Sequence, residues 1–198
     1  MIDFKICTEK ELWQYVASHL ESKGLNVVLV GGAVVSIYSE GAYRSGDLDF
    51  IITSLFKEKV PHYMSEIGFE RGIKGDLGRL YRHPDCKHLV VEFPSGPISI
   101  GEDYQIKPDE HEYNGQRIKI LSPTDCIVDR LASYIYGERG AHGERKTLEQ
   151  AVLVAKAQPL SFPKFSGHFS LSGVTLKKEN TVWERRITLR NLKKKQLS

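Results

Sequence analysis

The chain has 198 residues, 40% apolar and 27% charged, with a net charge of +3, which suits one domain with a buried core or one domain with a modest appendage. Its longest apolar run, around Val27 to Val30, is strand-sized, and its first residues, MIDFKICTEKEL, put acids where a signal peptide would be basic. A membrane span and a secretory leader are therefore not expected, and the chain is expected in the cytoplasm.

Thr8 is followed three residues later by Glu11, the capping-box pattern, and opens a stretch with Leu12, Val16 and Leu20 at helical spacing. Gly24 closes that helix. Next comes NVVLV (Asn26 to Val30), a β-branched run too short for a helix, which reads as a buried strand. Gly31-Gly32 then turns the chain into a short helix, AVVSIYSE, that ends before Gly41. After Tyr43-Arg44-Ser45-Gly46, the sequence DLDFIIT predicts a second strand, with Asp47 and Asp49 alternating with Leu48 and Phe50. Residues 56–67 have helical periodicity, with Pro61 marking a kink or a late start.

Three short β-like runs follow, FERGIK, RLYRHP and HLVVEFP, separated by the turns Gly75-Asp76 and Pro84-Asp85 and read as antiparallel additions to the same sheet. RIKIL (Arg117 to Leu121) is another short strand. Ser122 caps a helix with Pro123 in its first turn and Ile127, Leu131 and Tyr134 on one face. A break is expected from Gly137 to Gly143, then a helix from Thr147 to Ala157, then a loop or linker from Gln158 to Gly173. The last segment can be drawn as a basic helix with Val182, Ile187 and Leu189 inward. The fold class is therefore α/β (α+β), a mixed sheet flanked by helices over residues 1–121 with a helical C-terminal region over residues 122–198.

Cys7, Cys86 and Cys126 are scattered and include no CxxC pair, so reduced, mostly buried thiols are expected rather than a disulfide framework or a zinc site. Between Lys177 and Lys195 eight basic residues stand against Glu179 and Glu184. Such a segment is either a solvated helix face or a contact for a phosphate-rich partner.

Asp47 and Asp49, two apart in a strand, leave the same face of the sheet. Two acids so placed repel unless a cation lies between them, and hard oxygen donors suit Mg²⁺ or Mn²⁺. Glu92, an acid among Val90, Val91 and Phe93, is the best-placed third carboxylate; Asp76 and Asp85 lie in turn sequences instead. A glycine pair between a strand and a helix lets backbone approach a triphosphate, with helix N–H groups turned to the anion, although alone such a pair is ordinarily just a tight strand-to-helix turn.

Together, VLVGGAVVSIYSEGAYRSGDLDFII resembles the signature of the DNA polymerase β-like nucleotidyltransferase superfamily. The resemblance puts the family's glycine motif on Gly31 and Gly32, its metal-binding aspartates on Asp47 and Asp49, and its later-strand carboxylate on Glu92. The spacing from glycines to aspartates is slightly longer than usual, and Phe50 stands where many members carry a further acid. VEFPSGPISIG and LSPTDCIVDRLASY followed by TLEQA look like a bacterial subgroup related to abortive-infection and minimal nucleotidyltransferases of toxin–antitoxin systems. The resemblance spans Val27 to Ala157. It implies an NTP substrate such as ATP, a divalent cation, an RNA or protein acceptor and a cognate toxin or antitoxin partner.

Arg44 and Ser45 either contact the nucleotide phosphates or belong to an ordinary surface loop. Asp125, Asp129 and Arg130 fit a polar helix face turned to the cleft, with Arg130 either a triphosphate or base contact or half of a surface Asp–Arg pair. His83 and His88 flank a turn and read as solvent-facing. Two other functions are compatible with the motif: a catalytically silent partner-binding protein, and an antibiotic nucleotidyltransferase. The latter needs an acidic pocket, where the C-terminal half is basic.

Overall fold

The computed structural model describes residues 2–55, 57–72, 79–95, 98, 106–136, 141–159, 168–171 and 174–177. Thr8 caps helix α1 (Glu9–Ser22) in the reciprocal manner its sequence predicts: the hydroxyl accepts from Glu11 N, and the Glu11 carboxylate accepts from Thr8 N at 2.8 Å. The helix ends in a Schellman motif, in which Gly24, at φ +76°, donates to Glu21 O and Leu25 donates to Leu20 O. Leu12, Val16 and Leu20 are fully buried, as their spacing predicts.

Strand β1 (Val27–Val30) leads into α2 (Gly31–Tyr38), and β2 (Asp47–Ile52) returns antiparallel to β1. A 3-10 turn (Lys57–Lys59) precedes α3 (Val60–Glu66), with Pro61 in the first turn, so the proline is a late start and not a kink. Then come β3 (Glu70–Arg71), β4 (Leu80–His83), β5 (Cys86–Glu92), β6 (Asp109–Tyr113), β7 (Gln116–Ile120), α4 (Pro123–Tyr136) and α5 (Ala141–Ala157). The sheet has the order β3-β4-β5-β2-β1-β7-β6. β4 pairs antiparallel with β3 and with β5, as expected, but β5 joins β2 in parallel, and β7 joins β1 in parallel. α1 packs on β7 and β1, α2 on β1 and β2, and the α4–α5 pair on α2. The core is filled by Leu29, Leu48, Phe50, Ile118 and Ile120 from the sheet and by Trp13, Val34 and Val128 from the helices.

Three features depart from the sequence reading. β6 was not anticipated: its residues, DEHEY, lie at a sheet edge and are mostly exposed, so they lack the alternation that marks a half-buried strand. α5 begins at Ala141, inside the expected break; residues 137–140 lie outside the described residues. The expected loop over 158–173 contains β8 (His168–Leu171), which pairs antiparallel with β9 (Val174–Lys177). Contacts divide the chain into residues 1–160 and 161–198, the hairpin belonging to the second unit. The basic helix drawn beyond it, the turn at Gly75-Asp76 and most of the segment 96–105 lie outside the described residues. Among the described residues no helix is long and apolar enough to cross a membrane.

Candidate active site

The period-two geometry of β2 turns Asp47 and Asp49 to one face, while Leu48 and Phe50 are fully buried on the other. β5 lies parallel to β2 with Asp47 opposite Val90 and Asp49 opposite Glu92, so Glu92 stands directly beside Asp49. On the far side of β2, Val30 at the end of β1 faces Asp49. Three strands thus bring the acids to the point where β1 gives way to α2.

The glycines are specified by that point. Gly31 has φ +75°, a region that L side chains rarely adopt, and a Cβ there would fall 2.2 Å from Asp49 Oδ2. A Cβ on Gly32 would fall 2.7 Å from Ser45 Oγ. The first glycine is therefore required by backbone and by crowding, the second by crowding alone.

Ser45 is buried and structural to the site. Its hydroxyl donates to Asp47 Oδ1 at 2.6 Å, fixing that carboxylate, and its N–H donates to Glu9 Oε1 at 3.0 Å. Glu9, in the first turn of α1 and 2% exposed, also faces Arg44 Nε at 3.5 Å. Arg44 itself is largely exposed. Glu9 was not anticipated by the sequence reading, because an acid in a first helical turn ordinarily faces solvent and complements the helix dipole.

From α4, Arg130 and Asp129 reach the same neighbourhood. Arg130 is held by the Asp129 carboxylate and by Gln150 Oε1 of α5 at 3.4 Å. Asp49 is pushed up from 3.8 to about 7, first by burial, then by the charges of Asp47 and Glu92, with Arg130 opposing. Asp125 is not part of this group: it bonds Ser122 Oγ and accepts from Lys107 N, securing the start of α4. Lys146 of α5 lies over the Tyr43 ring, 5.5 Å from its centre, beside the Gly32–Ser45 contact. The sequence reading misses Lys146, because it starts this helix one residue later, at Thr147.

The donor set fits a hard divalent cation. It is all oxygen, and the Asp49 carboxyl, raised first by burial and then by the charges of Asp47 and Glu92, is one whose ionised form a bound cation would stabilise. The three carboxylates do not close to mutual ligand spacing; among the described residues, Cys7, Cys86 and His88 do. Of the alternatives, Asp85 lies in the β4–β5 turn at the other end of β5, and Asp76 lies outside the described residues. His83 stacks on Phe4 with ring centres 3.7 Å apart, so it is packed and not simply solvent-facing. A cleft of about 360 Å³ opens between Lys57, Pro61, Arg79, Tyr81 and Phe93. Phe93 stacks on Phe50, which places this cleft on the face opposite Asp49.

No family model and no curated protein matches the chain. Solved structures do. The antigenic nucleotidyltransferase-like protein from Paracoccidioides brasiliensis aligns with a TM-score of 0.57 at 19% identity, covering 75% of each chain. ANT(2″)-Ia in complex with adenylyl-2″-tobramycin aligns at 0.48 with 14% identity over 74% of this chain and 94% of its own. The lincosamide antibiotic adenylyltransferase LnuA, lincomycin-bound, aligns at 0.47 with 17% identity over 74% of this chain and 98% of its own. At these identities the likeness is one of architecture, carried by the first of the three: this chain has the nucleotidyltransferase fold.

Proposed function

We propose that the chain transfers a nucleoside monophosphate from an NTP, ATP among them, to an acceptor hydroxyl on RNA (the 3′ end of a tRNA) or on a protein, releasing pyrophosphate. One observation supports this above the others: the face carrying Asp47, Asp49 and Glu92 abuts the Gly31 turn so closely that a Cβ there would overlap Asp49 Oδ2. Acids that repel one another and a turn that opens a helix toward them serve no packing purpose; they suit a polyphosphate and its counter-ion.

In this reading Asp47, Asp49 and Glu92 would hold Mg²⁺ or Mn²⁺, which when bound neutralises phosphate charge and polarises the transferring group. Ser45 orients Asp47 through its 2.6 Å hydrogen bond. The Gly31-Gly32 backbone receives the β- and γ-phosphates at the start of α2, with Lys146 and Arg44 supplying positive charge from the surrounding surface. Arg130, locked by Asp129, stands toward the nucleotide from α4. Glu92 accepts the proton of the acceptor hydroxyl as its oxygen bonds to the α-phosphorus and the bond from that phosphorus to the departing pyrophosphate oxygen breaks. The sequence resemblance further supports a role in a toxin–antitoxin pair, and the basic residues of 177–195 favour RNA as acceptor.

The test is incubation with each α-labelled NTP, Mg²⁺ and total RNA or cell lysate, wild type against Asp49→Asn. Label transferred by wild type alone supports the proposal. Label transferred by neither protein to any acceptor rejects it in favour of a silent, partner-binding role.

A further inference from the structure

At the opposite end of β5 from Glu92, a second donor cluster is assembled by tertiary structure alone. Cys86 and His88, two apart in the strand, share a face, and Cys7, from the segment before α1, is brought against them. Cys7 Sγ lies 3.9 Å from Cys86 Sγ, Cys86 Sγ lies 4.0 Å from His88 Nδ1, and all three donor atoms lie within 4.8 Å of one another. We propose that Cys7, Cys86 and His88 form a binding site for a soft transition-metal cation of the Zn²⁺ class, fastening the N-terminal segment to β5.

Three features carry this. The first is spacing. Metal bonds of 2.3 Å to sulfur and 2.0–2.1 Å to nitrogen at tetrahedral angles require about 3.8 Å between sulfurs and about 3.6 Å from sulfur to nitrogen. The observed 3.9 and 4.0 Å are within a few tenths of an ångström of those values.

The second is the histidine's orientation. His88 Nε2 lies 2.8 Å from the Cys7 carbonyl oxygen, which can only accept, so Nε2 carries the hydrogen. In the neutral ring Nδ1 then keeps its lone pair, and Nδ1 is the atom that lies 4.0 Å from Cys86 Sγ. Metal-bound histidines are characteristically oriented in this way, their second nitrogen donating to a backbone carbonyl or carboxylate.

The third is chemistry. Two sulfurs and one imidazole select soft or borderline cations over Mg²⁺ or Ca²⁺. Cys7 and Cys86 are 3% and 2% exposed, whereas His88 is exposed, so the fourth position of a tetrahedral ion would open to water. The thiols bind as thiolates, so each ion taken up releases their two protons to solvent.

The site is independent of nucleotidyl transfer, and its test uses none. The full chain carrying Cys126→Ala, which leaves these two thiols alone, is reduced with a phosphine and titrated with Co²⁺ and then Zn²⁺. One equivalent of Co²⁺ is expected to give intense thiolate-to-metal absorption in the near ultraviolet and visible bands of a tetrahedral ion, which Zn²⁺ then bleaches. Cys7→Ser, Cys86→Ser and His88→Gln should each weaken Zn²⁺ binding by about tenfold or more. Circular dichroism separates that loss from unfolding, and the exposed His88→Gln should leave the fold intact. Absence of thiolate–cobalt absorption overturns the proposal, as does unchanged affinity in folded His88→Gln. It is equally overturned if Cys7 and Cys86 cross-link in unreduced protein while the reduced thiols take up no ion.

Discussion

Asp49→Asn should make the metal-free protein more stable while abolishing transfer. The carboxyl is raised from 3.8 to about 7, chiefly by burial and then by Asp47 and Glu92, so forming the fold around an ionised Asp49 is unfavourable. About three pH units at 1.36 kcal/mol each give ~4 kcal/mol as an upper bound, and partial solvent access reduces this to roughly 2 kcal/mol. Asparagine keeps the shape and removes the charge, and Arg130 retains Asp129 as its partner. For a domain of this size that corresponds to a melting temperature about 4–8 °C higher. The pH dependence fixes the cause. A carboxyl that titrates higher in the folded chain contributes stability below 3.8 and loses it progressively as pH rises to about 7. The gain from Asp49→Asn should therefore be near zero at pH 4 and complete just above pH 7. The assay is thermal unfolding in EDTA across that range, repeated with Mg²⁺, which should raise the wild type and leave the variant unmoved. A variant that melts at or below the wild type at pH 8 in EDTA would refute the claim that these acids are crowded and uncompensated.

Gly31→Ala should cost about 1–2 kcal/mol from the positive φ alone, and the displaced Asp49 should lower transfer by about a hundredfold, whereas Gly24→Ala, positive in φ but with open space around it, should lower stability only. Urea unfolding and rate assays on the pair separate the two effects. Glu9→Ala leaves the Ser45 N–H without its acceptor and should destabilise by about 1–3 kcal/mol, with transfer reduced as Asp47 loses its fixed partner; an unchanged midpoint would remove Glu9 from the site's support. Thr8→Ala removes the hydroxyl half of the capping box, while the backbone N–H at that position can still donate to Glu11, and should cost about 1 kcal/mol by urea midpoint, with no effect on transfer.

What sequence determined here is local. The capping box at Thr8, the Schellman end at Gly24, the strand–Gly-Gly–helix passage and the shared face of Asp47 and Asp49 each depend on side-chain period or backbone freedom within a few residues, so they can be read without a fold. The Asn114-Gly115 turn, both residues at positive φ, was equally local and marks the β6–β7 hairpin, but the exposed edge strand before it gave no alternation to accompany it. Tertiary structure decided what pairs across distance. It made β5 parallel to β2, so that Glu92 and not a neighbour meets Asp49, and it buried Glu9 beneath the loop that carries Ser45. It turned Arg130 and Asp129 toward Asp49, and it joined Cys7 to Cys86 and His88 across 79 residues. Such contacts follow from how apolar faces stack into one core, and no spacing along the chain encodes which faces meet.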